Sequence, residues 1–131
     1  MSVSLLVITH DDIGRALVDS ATVMLEVSPM KIDVISIGKA DNPDDMFTKA
    51  LELVENNEET LVLTDMYGST PSNVACRLHT RNSVRVVGGI NLPMLVRVLN
   101  YPRLSLDELV EKAVSGGRDG VLTCTMDVNN D

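Results

Sequence analysis

Tryptophan is absent, and aromatic side chains amount to one phenylalanine and two tyrosines in 131 residues. The chain therefore lacks the stacking platforms that hold single-stranded nucleic acids or sugar rings, and aliphatic side chains must fill its interior. Positive charge is also short. Eleven Lys and Arg stand against 19 Asp and Glu, a net charge of −8, which repels phosphate backbones and anionic lipid headgroups and argues against nucleic-acid partners. The two cysteines, Cys76 and Cys124, match no zinc, redox or disulfide-framework spacing and read as reduced residues of a cytoplasmic protein. No apolar run approaches the roughly 20 residues that cross a bilayer. The run from Val3 to Ile8 is closed by His10-Asp11-Asp12, so neither a membrane span nor a secretory leader is expected. No P-loop or G-x-G-x-x-G pattern follows that run. With so few aromatics, this argues against a flavodoxin-like domain that binds a nucleotide or flavin without transferring anything.

What is present is a globular composition, 44% apolar and 23% charged, in a length that suits one domain over residues 1–131. Val3-Ser4-Leu5-Leu6-Val7-Ile8 has the pattern of a strand buried on both faces of a parallel sheet. Ile13, Ala16, Leu17, Ser20, Ala21 and Met24 recur at helical spacing, predicting a helix over about 12–27 with that stripe inward. Ser28-Pro29 ends it, and a strand follows at 32–37. Asn42-Pro43-Asp44-Asp45 joins a cap, an N-terminal proline and first-turn acids, opening a helix that runs to Asn56-Asn57. A strand at 60–64 leads through Asp65 and a turn at Tyr67-Gly68-Ser69 to a helix capped by Thr70-Pro71 and reaching about Thr80. A fourth strand, 84–87, ends at Gly88-Gly89. Asn91-Leu92-Pro93 opens a helix stopped by Pro102. Ser105 to Glu108 forms a capping box for a last helix that is expected to end at Gly116-Gly117. Val121-Leu122-Thr123-Cys124 is the candidate fifth strand, and Asp127 to Asp131 reads as a polar tail. Strands alternating with helices predict an α/β fold, an open doubly wound parallel sheet of four strands with helices on both faces.

In such a sheet, functional groups gather beyond the carboxyl ends of the strands, near the point where strand order reverses. The first strand ends at His10 and the third at Asp65. Neighbouring strands lie about 4.8 Å apart, so an imidazole and a carboxylate can meet there. A carboxylate on one ring nitrogen fixes the tautomer and leaves the other nitrogen with a free lone pair. The Gly68-Ser69-Thr70-Pro71 turn leads into a helix N-terminus suited to an anion, and the Thr9 and Thr70 hydroxyls add donors. A nucleophilic imidazole, an orienting carboxylate and an anion cradle suit phosphoryl acceptance on nitrogen, with no metal or other cofactor required. Each residue taken singly has a plainer reading. A strand-end histidine is commonly a loop residue, Asp65 a turn cap, and Thr70-Pro71 merely a helix start. His79 reads as a solvated helix-end residue, Cys76 as a small core side chain, and Asp11 and Asp12 as helix acids.

Four ordered blocks change that balance: Ile8-Thr9-His10; Thr64-Asp65-Met66-Tyr67-Gly68-Ser69-Thr70-Pro71-Ser72-Asn73; Gly89-Ile90-Asn91-Leu92-Pro93-Met94-Leu95; and Ser115-Gly116-Gly117-Arg118-Asp119-Gly120-Val121. Together they resemble the EIIA domain of the mannose class of the bacterial phosphoenolpyruvate-dependent sugar phosphotransferase system, and the resemblance covers nearly the whole chain. It implies that His10 accepts a phosphoryl group from phospho-HPr and donates it to an EIIB histidine, with Asp65 as the orienter. Thr9, Gly68, Ser69 and Thr70 would contact the phosphate. It further implies a homodimer formed by exchange of the strand at 121–124, a separate EIIB partner, and peripheral association with a membrane transporter through that partner. Ser69 departs from the family, which usually carries a second glycine there, and a positive φ at that position would strain a serine. Tyr67 stands where Phe or Trp is commoner. Two further readings are a regulatory protein of an incomplete relay, controlling a partner through its phosphorylation state, and the phosphocarrier subunit of a dihydroxyacetone kinase, which resembles this family at its histidine.

Overall fold

The apolar runs form strands β1 (Val3–His10), β2 (Ile32–Ile37), β3 (Glu59–Thr64) and β4 (Val84–Val87). The computed structural model describes residues 2–25 and 30–125. All the strand pairs are parallel, and the order is β2-β1-β3-β4. β1 lies inside the sheet between β2 and β3, and Leu5, Leu6, Val7 and Ile8 are each 0–1% exposed. Because successive side chains face opposite ways, Leu5 and Val7 join one core and Leu6 and Ile8 the other. Each fully buried aliphatic side chain contributes on the order of 1.5–3 kcal/mol. An uninterrupted apolar strand is therefore stable only where helices cover both of its faces.

Helices α1 (Ile13–Leu25), α4 (Leu92–Leu99) and α5 (Leu106–Asp119) cover the first face, and α2 (Pro43–Glu55) and α3 (Thr70–Cys76) cover the second. This is the doubly wound α/β arrangement expected. The chain goes from β1 outward to β2, then crosses back over β1 to reach β3, so strand order reverses between β1 and β3. A 3-10 turn, Arg77–Thr80, continues α3. α2 begins as read: Asn42 accepts from the Asp44 and Asp45 amides at 2.8 and 3.2 Å, with Pro43 behind it.

Four details differ from the sequence expectations. In α1 the inward residues are Gly14, Val18 and Ala21, whereas Ile13 and Met24 are exposed. Asp11 adopts a left-handed φ of 43° and the Gly14 amide donates to the Thr9 hydroxyl at 2.8 Å, a tight entry that sets the helix phase about one residue from the predicted stripe. The N-cap of α3 is Ser69 rather than Thr70. α5 runs through Gly116-Gly117 to Asp119. A Cβ at Gly116 would lie 2.8 Å from the Arg97 Cβ, so these glycines admit α4 at close range instead of ending the helix. Lastly, Val121-Leu122-Thr123-Cys124 forms no strand in this single chain, and Val121 and Leu122 are exposed. The predicted helix end at 26–27, the Ser28-Pro29 break and the polar tail lie outside the described residues.

Candidate functional site

The parallel register carries β1 two residues past its last pairing with β3, Ile8 with Thr64. His10 therefore overhangs the carboxyl end of β3, while on its other side it pairs with Ile37. Asp65, one residue beyond β3, reaches back across this step. Its Oδ2 accepts from the His10 backbone amide at 3.0 Å and lies 2.8 Å from His10 Nδ1. Its Oδ1 accepts from the Met66 amide at 3.0 Å. Burial pushes the Asp65 carboxyl up, but bonds from the His10 amide, the His10 ring and the Met66 amide outweigh it and hold the group below its ordinary value. An ionised carboxylate only accepts hydrogen bonds, so Nδ1 carries the proton. In the neutral ring Nε2 keeps its lone pair, and it has no hydrogen-bond partner among the described residues.

The ring is part-exposed, 41% for the side chain against 13% for Asp65, and it opens on a cleft of about 540 Å³ that Asp11, Lys39, Asp41 and Thr70 also line. A larger cleft, about 600 Å³, lies at the end of β4, where Arg118 is the one titratable group in its lining. That cleft has no nucleophile.

The expected phosphate contacts separate in the structure. Thr70 lines the His10 cleft. Thr9 is fully buried, its hydroxyl accepting from Gly14 at 2.8 Å and directed to the His10 carbonyl at 3.2 Å. Its role here is to brace the exit from β1. The Gly68 amide donates to the Ser72 hydroxyl at 3.2 Å, and both the amide and the hydroxyl of Ser69 donate to the Met66 carbonyl at 3.3 and 2.6 Å. Those donors are spent inside the turn. Sequence reasoning passed over Lys39, a cation in the β2–α2 loop. Its position two residues after Ile37, the sheet partner of His10, is the signal that could have found it.

Comparison with known proteins bears on this site. The family model EIIA-man, described as PTS system fructose IIA component, matches residues 4–114. The chain belongs to this family. It is 29% identical over 126 residues to the PTS system mannose-specific EIIAB component of Escherichia coli (strain K12), covering 92% of this chain and 39% of that protein. The EIIA-man chain thus spans well under half of that relative. Its structure is similar to the mannose/sorbose specific IIA subunit of phosphotransferase system from Enterococcus faecalis, with TM-score 0.86, 27% identity, and coverage of 97% of this chain and 98% of that one. It shares its fold with phosphotransferase system component EIIA from Streptococcus agalactiae, with TM-score 0.85, 22% identity, and coverage of 92% and 96%. The departure from the EIIA-man pattern at Ser69 is structurally mild. Ser69 has φ −92°, and the positive φ of the turn, +89°, falls on Gly68. The strain considered for a serine at this position does not arise.

Proposed function

We propose that this EIIA-man chain is a phosphocarrier, a phosphotransferase whose His10 takes a phosphoryl group from phospho-HPr on Nε2 and passes it to a histidine of an EIIB partner during sugar uptake. The observation that carries the reading is the 2.8 Å contact between His10 Nδ1 and Asp65 Oδ2, which leaves the opposite nitrogen of a part-exposed ring as the nucleophile. Phosphoryl transfer between nitrogens passes through a loose, charge-rich transition state, so positioning supplies most of the catalysis. Asp65 fixes the ring, and it stabilises the positive charge the ring gains when Nε2 bonds phosphorus. The Thr70 hydroxyl, at the same cleft, donates to a phosphoryl oxygen.

The reading extends to the assembly. The chain acts in the cytoplasm as a homodimer in which residues 121–124, with Val121 and Leu122 exposed at 75% and 82%, pair with a second copy. Contact with the membrane transporter is peripheral and runs through EIIB. None of the described helices is long and apolar enough to cross a membrane, which agrees with that arrangement. Incubation with phosphoenolpyruvate, the first relay enzyme and HPr is expected to give an acid-labile adduct on the wild-type chain and none on His10→Ala. An unlabelled wild-type protein would refute the proposal. Label that forms but passes to no EIIB would point instead to regulation of a partner.

A further inference from the structure

We propose that Lys39 is the anion-binding group of this cleft, its ammonium contacting the phosphoryl oxygens while the group sits on His10 Nε2. The inference rests on the phosphocarrier reading and supplies the counter-charge which that reading lacks. A phosphoryl group brings about two negative charges. Yet the titratable neighbours of the ring are mostly carboxylates: Asp65 on Nδ1, with Asp11 and Asp41 in the cleft lining. Lys39 is the one Lys or Arg in that lining.

Five of the eleven Lys and Arg of this acidic protein sit on carboxylates, among them Arg77 with Asp44 at 3.0 Å and Arg97 with Asp119 at 2.8 Å. Lys39 forms no ion pair among the described residues, although Asp11 and Asp41 share its cleft. The reason lies in the loop. Asp41 Oδ2 is turned back onto the Gly38 amide at 2.7 Å, and the Asp41 amide donates to the Gly38 carbonyl at 3.2 Å. Lys39 is held between the two ends of this closed turn. The turn in turn is anchored beside the acceptor, because Ile37 pairs with His10 and its carbonyl accepts from the Asp11 amide at 3.0 Å. A fixed backbone therefore places Lys39, exposed and unpaired among the described residues, in the lining of the same opening as the reactive nitrogen. A compact point charge of that kind suits phosphate.

In the transfer, the Nε2 lone pair forms the new N–P bond as the N–P bond of a phosphoimidazolium donor breaks. The electron pair of the broken bond returns to the donor ring, which leaves as neutral imidazole. Positive charge appears on the His10 ring opposite Asp65, and Lys39 keeps its proton throughout.

The test compares Lys39→Gln and Lys39→Arg with wild type. Labelling rates at limiting phospho-HPr are expected to fall about tenfold or more in Lys39→Gln and to be largely kept in Lys39→Arg, the scale of one charge-assisted hydrogen bond in the transition state. Wild-type rates in Lys39→Gln would overturn the proposal. A wild-type protein that takes no label refutes the phosphocarrier reading itself. The placement of Lys39 is then decided without any donor, by adding inorganic phosphate and following the His10 ring resonances by NMR. Phosphate is expected to bind about tenfold more weakly to Lys39→Gln than to wild type, the scale of one charge-assisted hydrogen bond, and equal binding overturns the placement.

Discussion

The α4–α5 packing and the crevice between β1 and β3 are built from similar side chains, yet they differ in what they leave unused. At α4 and α5 the polar groups close on one another. Asn91 caps α4 through the Met94 amide at 2.9 Å and donates to the Gly117 carbonyl at 3.1 Å. Ser105 and Glu108 exchange both bonds of a capping box, and Arg97 takes Asp119. At the crevice Asp65 is just as fully engaged, but His10 Nε2, Lys39 and the Thr70 hydroxyl have no partner among the described residues. Polar groups that close on one another fix a fold, whereas groups exposed at an opening are left to solvent and open to a ligand. The difference separates architecture from chemistry within one small chain.

Asp65→Asn gives the sharpest contrast. The amide can no longer enforce a protonated Nδ1, and phosphoryl transfer is expected to fall on the order of 100-fold, the cost of a misplaced reacting group, with the far-ultraviolet spectrum unchanged. The same variant reads the pH dependence. Because the folded carboxyl lies below its ordinary value, its stabilising contribution is complete above the unfolded value near 4 and is lost as pH falls through the lower folded one. The stability gap between wild type and Asp65→Asn should therefore be full above that range and close as the pH falls through the acidic window. Gly116→Ala acts on the other region. Its Cβ would lie 2.8 Å from Arg97 Cβ, and a loss of about 1–3 kcal/mol is expected in denaturant melts, with labelling of the folded protein kept. Ser105→Ala removes the cap for about 1 kcal/mol and should leave transfer unaffected. If either helix variant slowed transfer as severely as Asp65→Asn, the two regions would not be separable.

Much of this is legible in the amino-acid sequence alone. β1 announced itself because an unbroken run of Leu, Val and Ile has one comfortable place, a strand covered on both faces. The His10–Asp65 meeting followed from the ends of two strands, and the caps at Asn42 and Ser105 from local chemistry. The misreadings have several causes, and one of them is how close two backbones come. Gly116-Gly117 carries the same signature whether it stops a helix or admits a neighbour, and only α4 decides. The phase of α1 depended on the left-handed turn at Asp11, which an aspartate does not advertise. Thr9, expected as a donor to the phosphate, is instead fully buried, because helices cover both faces of β1. Lys39 lies in a loop with no periodic pattern, so its cleft appeared only once β2 was aligned beside β1.

One atom of the crevice ties reactivity to integrity. Asp65 Oδ2 grips both the amide and the ring of His10, so the imidazole is aimed only while β1 and β3 hold their mutual alignment. A chain whose sheet has slipped or frayed at that step has no competent acceptor to offer. Under the proposed phosphocarrier function, the extent of labelling thus doubles as a count of correctly assembled molecules.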